Sequence, residues 1–182
     1  GYFISLEGND GCGKSTQAKL LHEWLIALDY DVVMTREPGG SKVAEKIRAL
    51  VLDRENAGMQ DMTEALLYAA SRAQHVRDII LPALAAGKIV LSDRYVDSSI
   101  AYQGAGRELG MDLVARINAP AIDGCLPDLT VLLDIDAAAA LRRRERASEV
   151  DRIEMMEDSF HVRVGKAYQE LLKQNPLRIV RV

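Results

Sequence analysis

Cysteine is almost missing from this 182-residue sequence: Cys12 and Cys125 are the only two, and they lie far apart. That pattern excludes a disulfide framework, offers no metal-ligand spacing and points to a reducing compartment. Long apolar runs are also lacking. None approaches the roughly 18 to 20 residues of a membrane span, so no membrane partner is expected. The opening GYFISLEG has neither the charged start nor the apolar middle of a signal peptide, although position 1 is not Met. A cytoplasmic location is the resulting expectation. No charge of one sign dominates, since 23 basic residues face 27 acidic ones for a net charge of -4, and a nucleic-acid partner is not expected. Internal repeats, low-complexity tracts and linkers are absent, and one domain over 1–182 is the working expectation.

What remains is an ordinary globular composition, 48% hydrophobic and 27% charged, arranged as short apolar runs between helical patterns. Tyr2 to Glu7, Asp31 to Thr35, Lys88 to Asp93, Leu129 to Asp134 and Leu177 to Val182 read as strands buried on both faces. Ser15 to Asp29, Ser41 to Leu52, Met62 to Ala86, Glu108 to Asp123, Asp136 to Arg146 and Met155 to Gln174 carry helical spacing, with Pro82 bending or interrupting the third. Such alternation predicts an α/β chain with a five-stranded parallel sheet flanked by helices and ligands at the carboxyl ends of the strands. A glycine loop after the first strand makes this a three-layer P-loop NTPase fold.

The fold name rests on Gly8-Asn9-Asp10-Gly11-Cys12-Gly13-Lys14-Ser15, with Thr16 following, which matches G-x-x-x-x-G-K-[ST] between a strand and a helix. Glycines let successive backbone N–H groups converge on phosphate oxygens, and the helix N-terminus adds donors and partial positive charge. Lys14 is expected on the β and γ phosphates of ATP, and Ser15 on Mg²⁺. Cys12 reads as a small filler. At the end of another strand, Asp93 is a candidate for Mg²⁺ through water and Arg94 for a phosphate. Arg142, Arg143, Arg144, Arg146 and Arg152 form a basic run that a phosphotransferase could close over the γ-phosphate. Acidic residues interspersed in it argue against a nucleic-acid patch. His22, His75 and His161 fall on helical patterns without metal spacing and read as structural or solvent-facing.

In order and in register, FISLEGNDGCGKST (3–16), TREPGG (35–40), EALLYAASRAQH (64–75), SDRYVDSSIAYQGAGR (92–107), PDLTVLLD (127–134) and DRIE (151–154) resemble the thymidylate kinase family, and its bacterial branch in particular. The resemblance runs over nearly the whole chain. It implies γ-phosphoryl transfer from ATP to dTMP with Mg²⁺, giving dTDP and ADP, and a homodimer packed through helices. It also implies Arg94 on the dTMP phosphate, Asp10 near sugar and phosphate, and Arg36, Glu37 and Arg48 lining the acceptor site. Ser99, Tyr102 and Gln103 should border base and sugar, Gln103 at the polar edge of the base.

On the 64–75 segment, Ala65, Leu66, Ala69, Ala70, Ala73 and Val76 mark the expected buried face, with Glu64, Tyr68 and Arg72 on another stripe. From that stripe Tyr68 could stack on a base while Arg72 donates to a carbonyl such as thymine O4. Many relatives have Phe at the place of Tyr68, and one branch has an arginine where Gly11 stands. Gly11 shifts transition-state charge stabilisation onto the segment of about 142–154, to Arg143, Arg146 and Arg152. Two other readings fit the loop: a kinase for a different nucleoside monophosphate, or a P-loop switch ATPase, although the guanine-reading N-K-x-D is absent.

Overall fold

The computed structural model describes residues 1–135 and 151–182. The expected helix Asp136 to Arg146, with Arg142, Arg143, Arg144 and Arg146, lies outside the described residues. Five strands form one sheet: β1 (Tyr2–Glu7), β2 (Val32–Arg36), β3 (Ile89–Asp93), β4 (Leu129–Leu132) and β5 (Ile179–Arg181), in the order β2-β3-β1-β4-β5. Every neighbouring pair is parallel. The apolar runs predicted these strands to within two residues at each end. Burial on both faces holds for β1 and β3 and not for the edge strands β2 and β5, which are partly exposed because each has a neighbour on one side only.

β1 sits at the centre, with Ile4 registered against Leu91 of β3 and Leu129 of β4. Its side chains alternate across the sheet. Phe3 packs with Val76, Ile80, Val90 and Tyr95 on one face, while Ile4 and Leu6 pack with Ala18 and Leu91 on the other. The second face is covered by α1 (Lys14–Ala27). Beyond β2 the chain runs through α2 (Lys42–Leu52) and α3 (Asp61–His75), which continues as a π-helical turn (Val76–Ile80) into α4 (Leu81–Ala85). Pro82 stands in the first turn of α4, where its missing N–H costs least; the wide turn before it is how the single helix predicted over 62–86 absorbs the proline.

One stretch is added to the expected elements and one expectation is corrected. The segment after β3 is helical from α5 (Val96–Ser99) through a π-helical stretch (Ile100–Gly106), ahead of α6 (Met111–Ile122). This stretch packs with α7 (Asp158–Gln174) around Phe160, Val164 and Tyr168. The buried face of α3 also differs from the one expected. Leu66 is 52% exposed and Ala70 is exposed, whereas Glu64 (0%) and Arg72 (1%) are buried beside Ala65 and Ala69. A polar stripe can face inward only if every charge finds a partner, and the partners come from the rest of the site.

Candidate functional site

The glycine loop leaves the carboxyl end of β1 and enters α1 at Gly13, whose φ of 95° is in the left-handed region, as is the 80° of Gly11. Gly8 has φ 139°, and a Cβ there would lie 2.5 Å from the Leu133 carbonyl oxygen, so side chains are excluded by conformation and by space. Lys14 Nζ donates to the carbonyls of Gly8 (3.0 Å) and Asn9 (2.9 Å), curling the loop around its own ammonium. Burial and then the nearby Arg94 lower the Lys14 pKa. Ser15 Oγ donates to Asp93 Oδ2 at 2.6 Å, which joins the two residues expected at the metal.

Arg94 follows β3 with φ 73°, a left-handed conformation that a non-glycine residue holds only when its surroundings impose it. Its guanidinium donates to Asp10 Oδ1, to Tyr102 Oη (3.0 Å), Ser98 Oγ (3.0 Å), Tyr168 Oη (3.3 Å) and the Gly8 carbonyl (3.1 Å). Tyr102 Oη donates in turn to Asp10 Oδ2 at 2.8 Å. Burial alone would raise Asp10, but Arg94 and Lys14 outweigh it and hold its carboxyl below the ordinary range. Behind Arg94 stands Glu7, fully buried at the end of β1. It accepts from the Tyr95 N–H (2.7 Å), Ser98 Oγ (2.5 Å) and Tyr168 Oη (2.9 Å). Desolvation, with Asp97 adding to it, pushes Glu7 up to about 7.

One cavity of about 440 Å³ joins these groups. Gly11, Gly13, Lys14, Ser15, Thr16 and Asp93 line it together with Asp10 and Arg94 and with Arg36, Arg48, Tyr68, Tyr102 and Gln103. Arg36 pairs with Glu45 at 2.9 Å, and Arg48 Nη1 donates to the Pro38 carbonyl at 2.8 Å. Glu37 reaches the wall, but its carboxylate is engaged by Arg72 (2.7 Å) and His75 (2.9 Å). Arg72 also donates to Ser99 Oγ (3.0 Å), Asn118 Oδ1 and the Tyr95 carbonyl (3.2 Å). Neither Arg72 nor Ser99 lines the cavity. Gly8, Asn9 and Cys12 likewise back the loop without lining it.

Arg152, expected to meet phosphates, is instead buried with its guanidinium on Glu64 Oε2 (2.5 Å) and the Val51 carbonyl (2.9 Å). Its neighbours Asp151, Ile153 and Glu154 do line the cavity, in a turn where Asp151 Oδ1 accepts from the Ile153 (2.8 Å) and Glu154 (2.9 Å) N–H groups. His75 is structural, with Nε2 2.7 Å from Thr35 Oγ1 in addition to its contact with Glu37. Sequence reasoning passed over Glu7, Ser98, Arg107 and Tyr168. Glu7 alone left a signal, as a charged residue closing an apolar strand immediately before the loop.

A glycine loop capping the central strand of a parallel sheet, with Lys14, the Ser15–Asp93 pair and a guanidinium facing one cavity, defines a P-loop nucleotide-binding protein. A family model for thymidylate kinase matches residues 6–182. The thymidylate kinase of Limosilactobacillus fermentum is 52% identical over 185 residues, covering 100% of this chain and 86% of that protein. That of Finegoldia magna is 53% identical over 170 residues, covering 93% and 84%. The crystal structure of thymidylate kinase from Ehrlichia chaffeensis superposes with a TM-score of 0.82 at 35% identity, covering 100% of this chain and 89% of that one. The chain belongs to the thymidylate kinase family.

Proposed function

We propose that this chain transfers the γ-phosphoryl group of ATP to dTMP, giving ADP and dTDP. The observation that carries the reading is that the loop, Arg94, Tyr68 and Gln103 line one and the same cavity. Donor and acceptor phosphates meeting at Arg94 would lie within one charge-lined space. The acceptor is itself an anionic phosphate, so the chemistry needs alignment and charge neutralisation more than a general base. Lys14 and the loop N–H groups take the donor phosphates. Arg94, fixed by Asp10, Tyr102 and Ser98, takes the acceptor phosphate, with Arg36 and Arg48 nearby. Tyr68 offers a ring for the base, and Gln103 its polar edge.

The Ser15–Asp93 pair fits Mg²⁺, which is held by few protein oxygens and keeps water and phosphate ligands. Among the described residues no group of three His, Cys, Asp or Glu could hold a metal by itself. Bound there, the ion would neutralise phosphate charge while Ser15 and Asp93 orient it. Arg143 and Arg146 stay candidates for the transferred phosphoryl group. A single kinase domain is supported by one sheet carrying both ends of the site. Two free cysteines favour a cytoplasmic setting, and no described helix is long and apolar enough to cross a membrane. A homodimer is supported by outward apolar side chains on α2 and α3, namely Val43, Leu50, Met62 and Leu66.

The test is ADP release measured with dTMP, dUMP, dCMP, AMP and GMP. Strong stimulation by dTMP is expected, weaker stimulation by dUMP and little by dCMP. The thymine methyl is worth only about 1 to 3 kcal/mol, so dUMP is a poor substrate but still a substrate. Preference for a purine, or hydrolysis indifferent to dTMP, overturns the reading.

A further inference from the structure

Gln103 is buried, lines the cavity, and has one amide end engaged and the other not: Nε2 donates to Glu64 Oε1 at 2.9 Å, while Oε1 is buried without a partner among the described residues. Which end carries the oxygen is not free to vary. A carboxylate only accepts, so the nitrogen must face Glu64 and the oxygen must face away. Glu64 is itself fixed. Its Oε2 accepts from Arg107 Nη2 (2.8 Å) and Arg152 Nη2 (2.5 Å), and its Oε1 from Arg107 Nε (3.2 Å) as well as from Gln103. Two guanidinium groups pair with this fully buried carboxylate and hold it in one orientation.

We propose that Glu64 is a specificity-determining positioning residue: it locks the Gln103 amide so that the cavity is offered an acceptor, which selects pyrimidines whose ring N3 carries a hydrogen and rejects cytosine, whose N3 is bare. The inference rests on the function proposed above and adds the origin of its choice among pyrimidines. Thymine and uracil present N3–H to the Gln103 oxygen. Cytosine presents a bare N3, and two acceptors would then face each other at the buried Gln103 oxygen. Arg152, whose other donor holds the Val51 carbonyl, ties the same carboxylate to the chain that follows residue 150.

Glu64→Gln tests the lock. Two close guanidinium donors face the Oε2 position and a single longer one, Arg107 Nε at 3.2 Å, faces Oε1, so the variant keeps its carbonyl oxygen at Oε2 and turns its amide nitrogen toward Gln103, giving up the Arg107 Nε contact. Gln103 must then reverse, with its own nitrogen toward the base. The ratio of kcat/KM for dTMP over dCMP is expected to fall by roughly 10- to 100-fold, with dTMP losing and dCMP gaining. The double variant Glu64→Gln, Gln103→Glu should restore the ratio, because the new amide donates to the new carboxylate, whose second oxygen again accepts from the base. Thermal melts check that each variant folds. If Glu64→Gln does not, Glu64→Asp is read instead; its carboxylate keeps the arginines but withdraws by one methylene from the amide, and the ratio should again fall. An unchanged ratio in a folded variant, or an equal loss for both nucleotides, overturns the proposal and leaves Glu64 as a structural anchor. Wild-type protein that does not discriminate dTMP from dCMP overturns the base reading itself, and this inference with it.

Discussion

Arg94 gathers most of the site's order around one side chain. Five acceptors on four elements hold its guanidinium, and its backbone sits at φ 73°. Lysine could keep the charge but not the planar fork, so Arg94→Lys should lower kcat/KM for dTMP by about 100-fold while ATP binding, read by fluorescent-nucleotide titration, changes little. Lys14→Ala should act on the donor side: turnover falls by roughly two to four orders of magnitude with the melting temperature nearly retained. Wild-type-like turnover in that variant would sink the P-loop mechanism.

Glu7 gives a pH signature at the same scale. Burial lifts its pKa from 4.5 to about 7. Between those values the folded carboxyl holds a proton that the unfolded chain has released. The native state then binds more protons, so this group's contribution to stability falls as pH rises through the window and stays at its lower level above it. Glu7→Gln cannot titrate. The melting temperature of the wild type minus that of the variant should therefore drop between about pH 5 and about pH 8, and a constant gap would show that Glu7 is ionised throughout.

At the scale of elements, the TREPGG turn shows how a short connection supports a wall of the cavity. Gly40 has φ 86°, and a Cβ there would lie 2.5 Å from the His75 ring and 2.6 Å from Thr35 Oγ1. His75 holds Glu37, and Glu37 holds Arg72. Gly40→Ala should thus cost about 1 to 3 kcal/mol, seen as a drop of about 2 to 4 °C in melting temperature per kcal/mol, with a raised KM for dTMP. An unaltered KM alongside lowered stability would separate the turn from the acceptor site. The elements themselves were legible to different degrees, for physical reasons. Buried strands are continuous apolar runs, and the phosphate loop needs fixed residues at fixed spacing, so both could be read directly. Residues 96–106 could not: SSIAYQGAG winds partly with i→i+5 hydrogen bonds and carries Gly104 and Gly106, which defeats a test for 3.6-residue spacing. The inward stripe of α3 was hidden for another reason. Burying Glu64 and Arg72 depends on Arg107, Arg152, Glu37 and Asn118, scattered from residue 37 to residue 152, and no local pattern in a single sequence reports partners so remote.

For the whole molecule, the homodimer proposed above needs an apolar face to pack on. Two apolar stripes compete. α1 turns Leu20, Trp24 and Leu28 outward at four-residue steps, and α2 with α3 turns out Val43, Leu50, Met62 and Leu66. The second pair of helices also carries Arg48 and Tyr68 on the cavity wall, so a partner packed on their outer face would brace the acceptor end of the site. That coupling favours α2 and α3 as the dimer face. Leu66→Glu places a charge, repeated by symmetry, at the centre of that face. It should halve the mass measured by light scattering and raise the KM for dTMP, whereas Trp24→Glu should change neither. A dimer that survives Leu66→Glu but dissociates with Trp24→Glu would move the interface to α1, and wild-type protein that stays monomeric up to the highest concentration measured would remove it altogether.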